Sequence, residues 1–308
     1  LNLYNKGTDA LEECNVCDIA GASILSLELI PLTLYKPHGL SLVLWIWSGD
    51  SGVIGCVECP WKALYDPRRS HDLKCVRAID IVSRAKSLNV DMLFLHGGEP
   101  LLKQWTQCIP RVLSKSLPGL GAKVRAEVLR GVDVKGLGLD AMLLEVSVKN
   151  LAEGYKESIA DLLKKALERD IYLEVILTDL RSHEDLRIEE ILKILSEIPE
   201  ICSACAGKII PIGIYATHLD DKSILMLRKH VEKICRSGVC YIIESMGSIY
   251  PDYVRCPYCK SIAAIRRGGV IVPIHGDKAE CPSCGARIFH HKPGRIKRHT
   301  QVFSEIYI

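Results

Sequence analysis

The chain has 308 residues, of which 48% are hydrophobic, 25% charged and 6% aromatic. This excludes a disordered or collagenous polypeptide and points to one large domain with one or two small ones around an aliphatic core. A formal net charge of +3, from 40 basic and 37 acidic residues, excludes a molecule that binds polyanions through bulk charge.

Chain order begins with ECNVC, which places Cys14 and Cys17 in a C-x-x-C pair inside a segment, 1–39, that reads as an N-terminal extension. The run LSLVLWIW near residue 40 is far shorter than the roughly 20 residues needed to cross a bilayer. No signal-peptide pattern opens the sequence. The expectation is a cytoplasmic protein with no membrane partner. Few Gln (three) and Asn (five) beside abundant Lys, Arg and Glu fit a thermophilic composition.

From 40 to 249 apolar runs alternate with amphipathic segments. LVLWIW (42–47), DMLFL (91–95), AKVRAEVL (122–129), MLLEVSV (142–148), YLEVILT (172–178), KIIPIGIYA (208–216) and CYIIES (240–245) read as strands. Between them, 75–88, the stretch beginning KQWTQ, and segments near 154–169, 184–197 and 221–237 read as helices. Such alternation implies parallel strands joined by helical crossovers. About seven of them suit a partial (β/α) barrel better than a doubly wound sheet, because no G-x-G-x-x-G follows the first strand.

Five C-x-x-C pairs absorb ten of the fourteen cysteines: Cys14 with Cys17, Cys56 with Cys59, Cys202 with Cys205, Cys256 with Cys259 and Cys281 with Cys284. Pairs with this spacing commonly turn two thiolates toward one ion. Cys202 with Cys205, or Cys235 with Cys240, are alternatively disulfide candidates. Two C-P-x-C knuckles in 250–291, separated by 21 residues, bring Cys256, Cys259, Cys281 and Cys284 into the pattern of a four-cysteine zinc ribbon, with GGVIV as hairpin between them. A rubredoxin-like iron site is the competing reading. A closed Zn²⁺ site of this kind would fold a segment too small for its own core. The tail 292–308 continues a stretch, GARIFHHKPGRIKRH, with five Lys or Arg and three His and no acid, so RNA or a ribosome is the partner class considered for it. Histidines such as His96, His218 and His275 read as packing groups, with His96 singled out because it abuts Gly97.

The turn HGGEPLL after the strand DMLFL, preceded one strand earlier by WSGDSGVIGCVEC, resembles the radical S-adenosylmethionine superfamily. The C-terminal stretch GVCYIIESMGSIYPDYVRCPYCK followed by CPSCG narrows the resemblance to the AmmeMemoRadiSam, or pyruvate formate-lyase activating enzyme-like, proteins over approximately 40–290. The resemblance implies a partial barrel in which Gly97, Gly98, Glu99 and Pro100 line S-adenosylmethionine and Cys56 and Cys59 hold a [4Fe-4S] cluster. It also exposes a gap, since the C-x3-C-x2-C motif requires its first cysteine at residue 52, which is Gly52. Asp50, Ser51 or Cys75 are substitutes for that ligand, whereas Cys14, Cys17, Cys56 and Cys59 together would make a closed second metal site. Glu145 and Ser147 stand where the family tends to carry Asp-x-Lys. Two functions follow as expectations. One is an iron-sulfur enzyme using S-adenosylmethionine on an unread substrate. The other is a silent, metal-stabilised scaffold for RNA, a ribosome or a protein.

Overall fold

The structure is a computed structural model describing residues 14–47, 73–107, 109, 119–126, 138–147, 163, 166–168, 170–178, 210–216, 219–234, 239–243, 251–267, 269–294 and 304–305. In chain order its elements are β1 (Asn15–Ser26), β2 (Leu40–Ile46), β3 (Lys74–Arg77), α1 (Ala78–Ser87), β4 (Met92–Gly97), β5 (Leu120–Arg125), β6 (Ala141–Ser147), β7 (Tyr172–Thr178), β8 (Ile212–Tyr215), α2 (Asp221–Ile234), β9 (Cys240–Ile243), β10 (Asp252–Arg255), β11 (Ile262–Arg267), β12 (Val270–Pro273) and the two-residue β13 (Ser304–Glu305). This is an α/β protein with mostly parallel strands.

Its compact units divide differently from the sequence bounds 1–39, 40–249, 250–291 and 292–308. One unit comprises Leu1–Ser26, Leu40–Met142 and Thr300–Ile308, the other Leu27–Gly39 and Leu143–His299. In the first unit the strand order is β13-β1-β2-β4-β5, with β3 beside β1. The pairs β2–β4 and β4–β5 are parallel, while β1 runs antiparallel to β2 and β3. In the second unit β7, β8 and β9 are parallel neighbours, and β10-β11-β12 form a separate antiparallel sheet. Among the described residues neither unit closes a barrel by itself.

Local chemistry explains the elements. Strands β4 and β6 are buried at every position, as parallel strands covered on both faces require. The first three residues of 75–88 are not helical, because they belong to β3, in which Val76 and Arg77 pair with β1. Helix α1 then buries Ala78, Ile81, Val82 and Ala85, the i, i+3, i+4, i+7 stripe. It stops at Asn89, which takes the left-handed conformation (φ 50°) after the C-cap. Helix α2 is capped by Asp220, whose carboxylate accepts the Ser223 N–H at 2.7 Å, and its described residues, Asp221–Ile234, lie within the span 221–237 read from periodicity. In the stretch beginning KQWTQ, Gln104–Gln107 is 3-10 helix, following a separate 3-10 piece at Pro100–Leu102, and Ile109 is α-helical, while residues 108 and 110–118 lie outside the described residues. Gly121 lets β5 approach β4, since a Cβ there would lie 2.6 Å from Phe94 Cδ2. No helix among the described residues is long and apolar enough to cross a membrane.

The segment 27–39, which carries no regular element, packs as part of the second unit. Leu27, Ile30, Leu32 and Leu34 are fully buried. Its backbone carbonyls receive His290 N–H at Leu34 (2.9 Å), His291 N–H at Tyr35 (2.8 Å) and Gly294 N–H at Pro37 (2.7 Å). Leu34 also joins Val254, Ala264, Ile271, Ile288 and Phe289 in one core beneath the β10–β12 sheet. Thus the small sheet borrows apolar cover from a segment far away in the chain.

Candidate metal centre

Cys256 and Cys281 open two backbone loops of the same design. In each, the residue following the second cysteine is left-handed: Lys260 at φ 61° and Gly285 at φ 74°. Lys260 N–H donates to Cys256 C=O at 2.9 Å, and Gly285 N–H to Cys281 C=O at 3.0 Å. Each loop is closed by the first cysteine's own N–H, Cys256 to Ser261 C=O at 2.8 Å and Cys281 to Ala286 C=O at 2.7 Å. Glycine takes this conformation freely, whereas Lys260 adopts it against its Cβ.

The loops face each other, so that all four sulfurs lie within 4.8 Å of one another. Cys256 Sγ is 3.6 Å from Cys284 Sγ, and Cys259 Sγ is 3.6 Å from Cys281 Sγ. A tetrahedral ion with sulfur bonds of about 2.3 Å sets its ligands about 3.8 Å apart. The group therefore fits a single metal ion such as zinc, and a multi-iron cluster would need its sulfurs farther apart. Four protein ligands leave no open position, which marks a structural site.

Electrostatics favours a dication. Burial works against ionising Cys281, but hydrogen bonds from the Ser261 hydroxyl and the backbone N–H groups of Cys284 and Ser283 bring it down to about 6. The Ser261 hydroxyl, 3.0 Å from Cys259 Sγ and 3.2 Å from Cys281 Sγ, also lowers Cys259. At Cys284 the Ala286 N–H opposes the change, yet burial and the neighbouring sulfurs push the thiol up to about 12. One thiolate forms readily and its charge resists the next, a conflict that a bound cation removes. Ser261 is not visible as a participant in the sequence. Its only signal there is its place two residues after Cys259.

The remaining site residues lie elsewhere among the described residues or outside them. Cys56, Cys59, Gly52, Asp50 and Ser51 lie outside the described residues, as do Cys202, Cys205, Cys235 and His218. Cys17 is joined to Cys75 as a disulfide across β1 and β3, and Cys14 and Cys240 are also disulfide-bonded. In that form Cys14 and Cys17 offer no thiolates for the second metal site, nor Cys75 for a third cluster ligand.

The turn 97–100 is buried at the C-terminal end of β4, with Gly97 at φ 98° and Glu99 at φ 48°. In the parallel β2–β4 register Ile46 is opposite Gly97, and Gly98 N–H donates to Ile46 C=O at 2.7 Å. Glu99 Oε1 lies 3.9 Å from Lys123 Nζ, both side chains being buried, and Oε2 accepts the Arg125 N–H at 3.3 Å. His96 stacks at a tilt against Trp45 (4.8 Å) and Phe94 (5.8 Å). Its burial, then the Lys123 charge, hold its imidazole neutral, with pKa well below the ordinary value. Asp18 accepts Trp47 N–H on its carbonyl (2.8 Å) and Lys103 Nζ on its carboxylate (2.6 Å). Lys123 and Arg125 belong to no motif in the sequence, although two cations at alternate positions of an otherwise apolar strand share one face. In the second unit Glu145 accepts the Thr178 hydroxyl at 3.3 Å, and Ser147 is buried.

Compared with known proteins, the chain matches no family model and no curated protein.

Proposed function

We propose that the chain is a partial (β/α) barrel of radical-S-adenosylmethionine type, stabilised by a C-terminal zinc ribbon, that binds S-adenosylmethionine at the adjoining ends of β2 and β4. One observation carries this reading. The parallel register opposes Ile46 to Gly97, so the chain that leads toward Cys56 and Cys59 departs beside the buried 97–100 turn. Active sites of parallel β/α folds form at the C-terminal strand ends, where glycine lets backbone approach a ligand. A [4Fe-4S] cluster, when held, supplies the electron for reductive cleavage of the bound sulfonium. The chain's own part is to present Gly97, Gly98, Glu99 and Pro100 to the cofactor, with Lys123 fixing the Glu99 carboxylate. The test is anaerobic purification with metal analysis. About four irons and one zinc per chain, with an absorption spectrum that responds to S-adenosylmethionine, support the proposal. Zinc without iron refutes it. Gly52→Cys should raise iron retention if that loop forms the cluster site.

A second reading, a catalytically silent scaffold binding RNA or a ribosome through the C-terminal region, is favoured by different observations. Glu99 already has Lys123 and the Arg125 N–H as partners, and Cys14, Cys17 and Cys75 are all in disulfides.

A further inference from the structure

We propose that the outer face of the β10–β12 sheet, with the cleft at its edge against α2, binds single-stranded nucleic acid; this rests on the second reading above and moves the contact from the basic tail to the sheet. The inner face of this sheet is core: Val254, Ala264 and Ile271 are buried to 1% or less. The outer face is not. Tyr253 (43%), Val270 (49%), Val272 (50%) and Ile274 (50%) are large apolar side chains left in water.

Register aligns these residues into rows. Tyr253 opposes Ile265, and Ile265 opposes Val272, giving one row across all three strands. Exposed Arg267 opposes Val270 on one side of that row, and exposed Arg255 lies two residues from Tyr253 on the other. Each arginine is therefore about 7 Å along the strand from the apolar row. At the β10 edge a cleft of about 430 Å³ opens between α2, β9 and β10, and its lining includes Arg228, Lys229, Tyr253 and Arg255. Asp252 is the only carboxylate among the described lining residues, and it is engaged by Arg228 and, at 3.6 Å, by Arg266. The surface combines a flat apolar strip, one exposed aromatic ring and flanking cations that outnumber the acids.

That combination suits bases lying on the strip, one stacked on Tyr253, while phosphates meet Arg255, Arg267 and Lys229. A protein partner would need its own carboxylates placed opposite all three cations. A nucleic acid strand carries an anion at every residue and meets them in any register.

The test uses the full-length, zinc-loaded chain and a fluorescent oligouridylate of about 12 nucleotides, within the range such sites cover, read by anisotropy between about 50 and 200 mM salt. Binding should fall steeply with salt. Tyr253→Ala should weaken it about tenfold or more at fixed salt, and the Arg255→Gln, Arg267→Gln double variant should reduce the log–log salt slope by about 1.4. Zinc content, measured alongside, should not change. Wild-type affinity in these variants, with loss on truncation after Gly294, assigns the contact to the tail and overturns the proposal while sparing the reading beneath it. No binding by the wild type at the lowest salt overturns both. A protein partner that requires Tyr253 and Arg255, in a chain that ignores the oligonucleotide, also overturns it.

Discussion

Replacing Glu174 with glutamine should flatten the pH dependence of stability between pH 4.5 and 7. The carboxylate is fully buried on β7. Its Oε1 accepts Leu34 N–H at 2.7 Å and Tyr172 O–H at 2.6 Å, and its Oε2 accepts Tyr241 O–H at 2.9 Å. Burial raises its pKa from 4.5 to about 7, against the lowering pull of these donors. The folded protein therefore holds this proton across a window in which the unfolded chain has lost it. Stability from neutral Glu174 is fully present below pH 4.5 and is lost as pH rises through about 7. At about 1.4 kcal/mol per unit of pH, the swing is about 3 kcal/mol. The glutamine side chain would keep an acceptor for Leu34 and could donate to a tyrosine oxygen, but it has no proton to lose. Denaturant unfolding of both proteins, zinc-loaded, from pH 5 to pH 8 gives the comparison. Acid loss of zinc is common to both and cancels in the difference. The variant should gain about 3 kcal/mol on wild type toward the alkaline end. Parallel pH curves would show that Glu174 is ionised in both states and refute the reasoning.

Cys281→Ser should make zinc removable by chelators and, in cobalt-loaded protein, reduce the thiolate-to-cobalt absorption bands, because one of the four thiolates is lost and the fourth position opens to water. Undiminished cobalt bands would show that the four sulfurs do not share an ion. Gly121→Ala should destabilise the first unit by about 1–3 kcal/mol, since the new methyl would sit 2.6 Å from Phe94 Cδ2 and 2.7 Å from Met92 Sδ. An unchanged midpoint in thermal unfolding would contradict that packing.

The parts of the fold legible beforehand are those in which burial alone decides. YLEVILT is apolar apart from Glu174 and the terminal Thr178, and β7 occupies Tyr172–Thr178 as expected. The cysteine knuckles are equally plain, because their spacing encodes their geometry. What escapes a reading of the sequence depends on partners remote in the chain. Residues 75–77 look helical in isolation, yet pairing with β1 makes them strand. The 1–39 region offers no clear period, although Asn15–Ser26 forms a twelve-residue strand whose alternation a register shift between Ile19 and Gly21 interrupts. Leu27 to Gly39 shows neither period, because its leucines fill gaps between elements and do not line one face. At the 97–100 turn the motif announces Gly97 and Glu99, but Lys123 reads only as part of a strand. Its meaning comes from the Glu99 carboxylate 3.9 Å away.

The placement of residues 27–39 has a consequence for synthesis. This segment leaves the ribosome well before its partners: Leu34 reaches Glu174 across 140 residues and Pro31 receives Tyr241 across 210. Leu34 also lies in the core of the sheet that Cys256 and Cys281 anchor. Until those late residues emerge, an apolar stretch must wait unfilled on the nascent chain, exposed to chaperones and to misassociation. Metal capture by the two knuckles would then be the event that gives Leu34 its surface to cover, linking zinc supply to the yield of folded protein as well as to its stability.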